Sequence, residues 1–241
     1  MNTQLLDKRK EKVLQIIIED YVSTGHPVGS AAICEKHNLQ YSPATIRWDM
    51  MELEDDNFIA QTHTSSGRIP TDKGYRYYIN NIMQTKTLTD REEEYINQTF
   101  EQTNQNIEQI LHQTSKILSA VAEYAAIVTS KASQDKLYMG GISNMLRQQE
   151  FTDAKSFMPI LEAIDDEEPI IETLSDAQEE KAVVKIGSEN KRKEIKSCSV
   201  VMRKYNSGAI GIIGPTRMNY RKTTCLVDYV SNLLNKLMEE V

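Results

Sequence analysis

The chain has 241 residues, of which 39% are hydrophobic and 26% charged, and its formal net charge is −7 at pH 7. This is the composition of a globular protein of one or two domains, and its acidic balance argues against a general nucleic-acid coat protein. No apolar run approaches the roughly 20 residues of a membrane span. Charged residues 7–12 without a following apolar segment predict no signal peptide, and three scattered cysteines suit reduced thiols, so the expected location is the cytoplasm.

Two helices are predicted at the start of the chain. Apolar residues recur at three- and four-residue steps from about Leu6 to Ser23, which indicates a helix with one buried face. Gly25 and Pro27 follow, and both oppose its continuation. A second, shorter helix is predicted over residues 31–36.

A third helix is predicted from Pro43 to about Asp56. The Ser42 hydroxyl can accept a hydrogen bond from the first free backbone N–H groups, and proline suits the first helical turn. Its inward face is expected to carry Ile46, Met50 and Leu53. Its outward face carries Trp48 and Met51, and apolar residues on a solvent face of a small domain indicate a binding partner.

A hairpin follows this helix. Phe58–Thr62 alternates apolar and polar residues, Ser65, Ser66 and Gly67 form a turn signal, and Arg68–Pro70 begins the returning strand. A further helix begins at Thr71. This order is typical of a winged helix-turn-helix, and we assign residues 1–86 to a DNA-binding domain of that kind.

One long helix is predicted for the next segment. No glycine or proline interrupts Thr89–Thr129, apolar residues fall at helical spacing, and Thr89 with Glu92 forms a capping box. A continuous helix of that length would measure about 60 Å. Its thin apolar seam favours pairing with another helix, so residues 87–135 are interpreted as a linker and dimerisation helix.

Residues 136–241 are predicted to form a mixed α+β domain, so the fold class of the whole chain is α+β. The predicted helices are 142–149, 152–164 and 223–240. The predicted strands are 182–186, 199–205 and 209–213, the last two joined by Asn206, Ser207 and Gly208. The acidic segment Asp165–Glu168 is interpreted as a solvated loop.

Motifs of catalysis and of metal binding are missing. The sequence contains no GxSxG, no HExxH, no CxxC and no phosphate-binding loop. Cys34 and His37 supply two potential ligands where structural zinc needs four. We therefore expect no enzyme activity, no cofactor and no metal.

Several motifs together resemble one family. They are HPVGS (26–30), SPATIR.DM.ELE (42–54), HTSSGRIPTDKGYRYYI (63–79), GGISNMLRQQEF (140–151), IGSEN (186–190) and GIIGPTRMNY (211–220). In this order they resemble the bacterial heat-inducible transcription repressor family, HrcA. The resemblance implies a homodimer that represses chaperone operons, with a winged helix that binds double-stranded DNA at an inverted-repeat operator. It further implies a GAF-like C-terminal domain and the chaperonin GroEL as the partner that keeps the repressor active until heat draws GroEL away.

The chain departs from this family at two places. Trp48 replaces an asparagine that is usual there, and an asparagine could read adenine through two hydrogen bonds whereas tryptophan cannot. Between Ser130 and Lys136 the family carries a long block that includes strands of the GAF-like domain and a dimerisation insert, and a short segment replaces it here. We therefore expect a truncated GAF-like sheet and a dimer that uses other surfaces, the long helix or the C-terminal domain.

The residues predicted to contact DNA are Ser42, Ala44, Thr45, Arg47, Trp48, His63, Thr64, Ser65, Ser66 and Arg68. Two alternatives stay open. Exposed Trp48 and Met51 would also suit a protein-interaction scaffold in which the winged helix docks on a partner chain. A GAF-like domain could also sense a small molecule, although a shortened sheet disfavours it. For heat sensing, the hypothesis is marginal stability of the C-terminal domain.

Overall fold

The computed structural model describes residues 5–62, 67–84, 87–103, 106–130 and 136–239. The chain divides into two compact units, Met1–Gln84 and Thr85–Val241. In the described parts of the chain, no helix is long and apolar enough to cross a membrane.

The first unit combines helices with a short hairpin. Its elements are α1 (Lys8–Thr24), α2 (Ser30–His37), α3 (Pro43–Asp55), β1 (Ile59–Gln61), β2 (Arg68–Pro70) and α4 (Asp72–Tyr77). A π-helical turn, Tyr78–Ile82, continues α4. The helices and strands predicted for this part of the sequence are thus present, with ends shifted by one or two residues.

Short-range signals set the helix ends. Asp7 caps α1 by accepting hydrogen bonds from the backbone N–H groups of Arg9 and Lys10. Gly25 (φ 69°) and Asn57 (φ 60°) adopt the left-handed conformation that follows α1 and α3. These residues set where α1 begins and where α1 and α3 end.

The core of the first unit is formed by the inward faces of its helices and by the hairpin. Its fully buried members include Leu14, Ile17, Ile33, Ile46, Leu53, Phe58 and Tyr75. The rings of Phe58 and Tyr77 meet edge to face, with centroids 5.3 Å apart. This core holds α3 against α1 and leaves the other face of α3 to solvent.

The hairpin is antiparallel and is tied to the segment before α2. Ile59 pairs with Pro70 and Gln61 with Arg68, while Val28 and Arg68 exchange backbone hydrogen bonds of 2.9 and 2.8 Å. A side chain at Gly67 would overlap the Val28 backbone, so glycine is required for this close approach.

The second unit is an antiparallel sheet covered by helices. Its elements are α5 (Asp90–Glu101), α6 (Ile107–Ala122), β3 (Ala125–Ser130), β4 (Lys136–Gly140), α7 (Ile142–Leu146), α8 (Ala154–Asp165), α9 (Glu168–Ser175), β5 (Val183–Ile186), β6 (Cys198–Tyr205), β7 (Gly208–Pro215) and α10 (Tyr220–Glu239).

The five strands found among the described residues follow the order β4-β3-β7-β6-β5, and each neighbouring pair is antiparallel. Alternate residues of β6 face opposite layers. Val200 and Met202 join the apolar core under α8 and α9, while the Ser199 hydroxyl lies 2.6 Å from the Tyr220 hydroxyl of α10. The sheet is therefore covered on both faces.

The structure corrects the prediction of one long helix over 89–129. Helix α5 ends with its C-cap at Gln102, and Asn106 caps a new helix by accepting from the N–H groups of Glu108 and Gln109. Helix α6 then ends at Glu123, which takes φ 62°. Apolar and β-branched residues 125–130 form β3 between two partner strands, because burial on both faces outweighs their helical spacing.

The predicted sheet was also too small. Strands β3 and β4 were missed, because the residues of β3 were assigned to the long helix and no element was predicted for Lys136–Gly140. The three predicted strands are present as β5, β6 and β7. The acidic segment taken as a loop is the junction of α8 and α9, where Glu167 adopts φ 56° and Pro169 lies in the first turn of α9.

Candidate nucleic-acid interface

Helix α3 presents one sealed face and one open face. Ile46 and Leu53 are fully buried, and Met50 is 5% exposed. Trp48 is 59% and Met51 47% exposed, which confirms the predicted orientation of the helix. The open face is thus a contiguous apolar and polar surface on a rigid element.

The N-terminal end of α3 is open to solvent. The Ser42 hydroxyl accepts a 3.2 Å hydrogen bond from the Thr45 N–H and lies 3.0 Å from the Thr45 hydroxyl. Ala44 is exposed beside them. The positive end of a helix dipole together with these small polar groups favours an anion such as a phosphate.

Arg47 is exposed on the open face. Within the described parts of the chain, its guanidinium takes part in no hydrogen bond or ion pair. A cation that is not engaged within its own protein can turn toward a phosphate or a guanine edge without first breaking an internal contact.

Trp48 is held in place by its own helix. Its indole N–H donates a 3.0 Å hydrogen bond to Glu52 Oε1, and Lys10 Nζ lies 2.7 Å from Glu52 Oε2. The hydrogen bond from Lys10, followed by that from Trp48, lowers the pKa of Glu52. Since the single indole donor is already used, Trp48 offers its ring surface for contact and no free hydrogen bond.

Sequence reasoning missed a buried ion pair beneath α3. Arg9 donates two hydrogen bonds of 2.8 Å each to the carboxylate of Asp49, and Asp49 is fully buried. A signal was present, because Asp49 lies on the same helical face as Ile46 and Leu53 and a buried carboxylate requires a cationic partner. This pair fixes α3 to the start of α1.

The structure places Arg68 in an internal contact. Its Nε and Nη2 both lie 2.8 Å from Glu54 Oε2, and Glu54 also accepts a 3.1 Å hydrogen bond from the Gln61 N–H. Arg68 is therefore not brought together with Arg47 as a second unengaged cation. The predicted contact residues His63, Thr64, Ser65 and Ser66 lie outside the described residues.

A family model described as the HrcA protein C-terminal domain matches residues 73–224. The heat-inducible transcription repressor HrcA of Pelotomaculum thermopropionicum is 28% identical over 340 residues, covering 98% of this chain and 98% of that protein. The protein of the same name from Carboxydothermus hydrogenoformans is 29% identical over 337 residues, covering 97% and 98%.

These aligned spans exceed the 241 residues of the chain, so both relatives contain residues that it lacks. A crystal structure described as a hypothetical protein at 2.2 Å resolution is 20% identical, with a TM-score of 0.78 and 98% of both chains covered, and it shares the fold. With the family model matching more than half of its length, the chain belongs to the HrcA family.

Proposed function

We propose that this chain is a sequence-specific DNA-binding repressor of heat-shock chaperone operons, without enzyme activity. In this proposal the first unit is a winged helix, with α3 as its recognition helix and the β1–β2 hairpin as its wing. The second unit is a GAF-like domain. Family membership supports the regulatory role, and the open face of α3 supports DNA as the target.

Helix α3 enters the major groove in this proposal. Ser42, Ala44 and Thr45, at its positive end, position the helix on phosphates. Arg47 contacts base edges, where arginine binds guanine through two donors, and the Trp48 ring packs on an apolar feature such as a thymine methyl group.

The wing contributes backbone contacts. Residues 63–66 supply short hydroxyl and imidazole groups to phosphates, and Arg68 reaches the adjacent backbone or the minor groove. Arg68 must exchange Glu54 for a phosphate to do so, and this exchange is possible because both side chains are partly open to solvent.

Two copies act together on one operator. A two-fold dimer places its recognition helices about 34 Å apart, which matches an inverted repeat. GroEL is the proposed partner that maintains repression, and heat releases the operator when GroEL is occupied by unfolded proteins. This regulatory part follows from family membership alone.

One observation carries the proposal. Arg47 and Trp48 lie side by side on the solvent face of a helix whose opposite face is sealed by Ile46 and Leu53 and anchored through Asp49. A rigid helix with an exposed cation near its N-terminal end is the geometry that reading the major groove requires.

Operator binding tests it. Fluorescence anisotropy would compare the full chain on an inverted repeat from a chaperone promoter and on a scrambled duplex. We expect Arg47→Ala to weaken operator binding roughly tenfold or more, since a bidentate base contact contributes about 1–3 kcal/mol. The matched control is Lys155→Ala, an exposed lysine on α8.

The affinity for the operator should also fall steeply as the salt concentration rises. Equal binding to both duplexes at moderate salt would contradict the proposal.

A second function has its own support. Tyr41, Trp48 and Met51 are each at least 45% exposed, and such residues are common at protein interfaces. The first unit could then dock on a partner protein. In that case Arg47→Ala leaves partner binding intact, whereas Trp48→Ala with Met51→Ala abolishes it without a matching change in operator affinity.

A further inference from the structure

Among the residues that the structure describes, strand β4 ends the sheet without a partner on its outer side. It is the first strand of the order β4-β3-β7-β6-β5, and within the described residues its backbone groups pair with β3 alone. Proteins usually protect such an edge with a bulge, a proline or inward charges. The sequence Lys136–Gly140 (KLYMG) carries one charge, at its first residue, and forms five regular pairs with β3.

Apolar side chains accompany this open edge. Leu137 and Met139 are half-buried and pack on the apolar core from its rim, as does Ile142 of α7. Leu146, at the end of α7, is 51% exposed. A strand added to β4 would cover the first two of these side chains and complete the hydrogen bonding of the edge.

Helix α6 lies along the same edge, in the same direction as β4. Lys136 Nζ is 3.0 Å from Glu108 Oε1 at the beginning of both elements. A side chain at Gly140 would overlap the backbone of Ser115 near the other end. The helix also packs on β3.

A row of exposed residues follows α6 at four-residue spacing. They are Glu108, His112, Lys116 and Ala120. The row is acidic beside Lys136, basic beside Gly140, and His112 lies midway. When two copies of this row run in opposite directions, the acidic end of each therefore lies beside the basic end of the other.

We propose that β4 is a dimerisation edge that pairs with β4 of a second copy, antiparallel and centred on Tyr138, to form one continuous sheet. The two-fold axis places Lys136 opposite Gly140 of the other copy, and Glu108 beside its Lys116. Because α6 packs on both β3 and β4, pairing of the two β4 strands about 4.8 Å apart would bring the two α6 helices to roughly the 8–10 Å that separates packed helices. Both the strand and the helix row select an identical chain as the partner.

This inference deepens the proposed function, since it supplies the dimer that an inverted repeat needs. The dimerisation insert that the family resemblance implies between Ser130 and Lys136 is replaced here by a short segment, so a dimer of this chain needs another surface.

Charge exchange on α6 tests the proposal without DNA. Sedimentation equilibrium of the full chain should show a dimer. We expect Lys116→Glu and Glu108→Lys each to raise the dimer Kd about tenfold or more, since two symmetry-related pairs change from attraction to repulsion. An equal mixture of the two variants should recover dimerisation, because each heterodimer restores both pairs. Lys155→Glu is the matched control on α8.

Backbone pairing is tested separately by hydrogen exchange. The amides of residues 136–140 should become more protected as protein concentration rises, while those of β5 at the other edge do not change. A monomer at high micromolar concentration, a dimer indifferent to both α6 variants, or absent protection at β4 would overturn the proposal. Arg47 belongs to the first unit and β4 to the second, so Arg47→Ala should leave dimerisation unchanged, and a failure of operator binding and a failure of this interface are distinguishable.

Discussion

In the proposed function, Trp48 influences which base pair is preferred at one position of the operator. Its indole N–H is engaged by Glu52, which Lys10 holds from α1. In the proposed complex the side chain would therefore meet a groove as an oriented flat ring and not as a flexible donor. Shape and methyl contacts would dominate recognition at that base pair.

Replacing Trp48 by asparagine should change base preference while preserving the fold. We expect Trp48→Asn to shift the preferred base pair at one operator position toward adenine, by about 1–3 kcal/mol of discrimination. The exposed site and the remaining Lys10–Glu52 pair predict little change in Tm. Binding to operators that differ at single positions measures this, and unchanged preferences at every position would remove Trp48 from the interface.

The pair of Arg9 and Asp49 supports the same helix from below. We expect Arg9→Met to lower the Tm of the first unit, because it leaves the buried Asp49 carboxylate without its cation. The double variant with Asp49→Asn should recover part of the loss, since no buried charge then remains. Fluorescence of Trp48, the single tryptophan, follows the unfolding of this unit. Equal stability of Arg9→Met and the unsubstituted chain would contradict a role in anchoring α3.

Residue patterns predicted exposure on α3 correctly but not every partner. The spacing of Ile46, Met50 and Leu53 is a local signal, and the Ser42 cap lies next to the helix that it begins. The contact of Arg68 with Glu54 joins residues 14 apart, and that of Arg9 with Asp49 joins residues 40 apart. Such pairs depend on how the chain folds back, which single-sequence periodicity does not contain.

In α5, the capping residue Glu92 also contacts a residue that is distant in the sequence. Glu92 accepts hydrogen bonds from the N–H and the hydroxyl of Thr89, and Lys222 Nζ of α10 lies 2.7 Å from Glu92 Oε1. Lys222 is the largest influence, ahead of the Thr89 N–H, and the pKa of Glu92 falls from 4.5 to about 2. The capping box was predicted, whereas the contact with α10 was not.

This carboxylate should make part of the stability of the second unit depend on pH. Because its pKa is lower in the folded state, its contribution is complete above pH 4.5 and is lost as pH falls toward 2. Glu92→Gln should lower the free energy of unfolding at neutral pH and flatten its decline in that window. The effect should be modest, since solvent screens this partly exposed pair.

Urea unfolding followed by far-UV circular dichroism across this pH range measures the effect. Glu101→Gln, at the exposed end of the same helix, is the control and should leave the pH profile unchanged. A steep decline that survives in Glu92→Gln would assign the acid sensitivity to other carboxylates.

The type of element was predicted wrongly for β3, where burial in the sheet outweighed the helical spacing of its residues. The residues of β3 continue the helical periodicity of α6, yet β4 and β7 flank them on both sides. A sheet position buried on both faces accepts an uninterrupted apolar run, which a periodicity argument cannot tell from a buried helix. The predicted linker helix was wrong for this reason.

In the whole molecule, the two proposed functions belong to different compact units. The first carries the helix proposed to read DNA, and the second carries the open edge proposed to join two copies. The helix and strand patterns of the sequence predicted the α+β class, while the complete five-stranded sheet required the structure.

One buried side chain allows the thermal opening of the second unit to be measured. Cys198 at the start of β6 is fully buried, and burial raises the pKa of its thiol to about 12. Thiolate, the form that alkylating reagents attack, is thus almost absent while the sheet is closed. Alkylation of Cys198 therefore counts opening events of the sheet, and peptide mass spectrometry separates it from Cys34 and Cys225. Its rate against temperature measures how far the sheet opens, and operator binding over the same temperatures tests whether this opening accompanies the release of DNA that we propose.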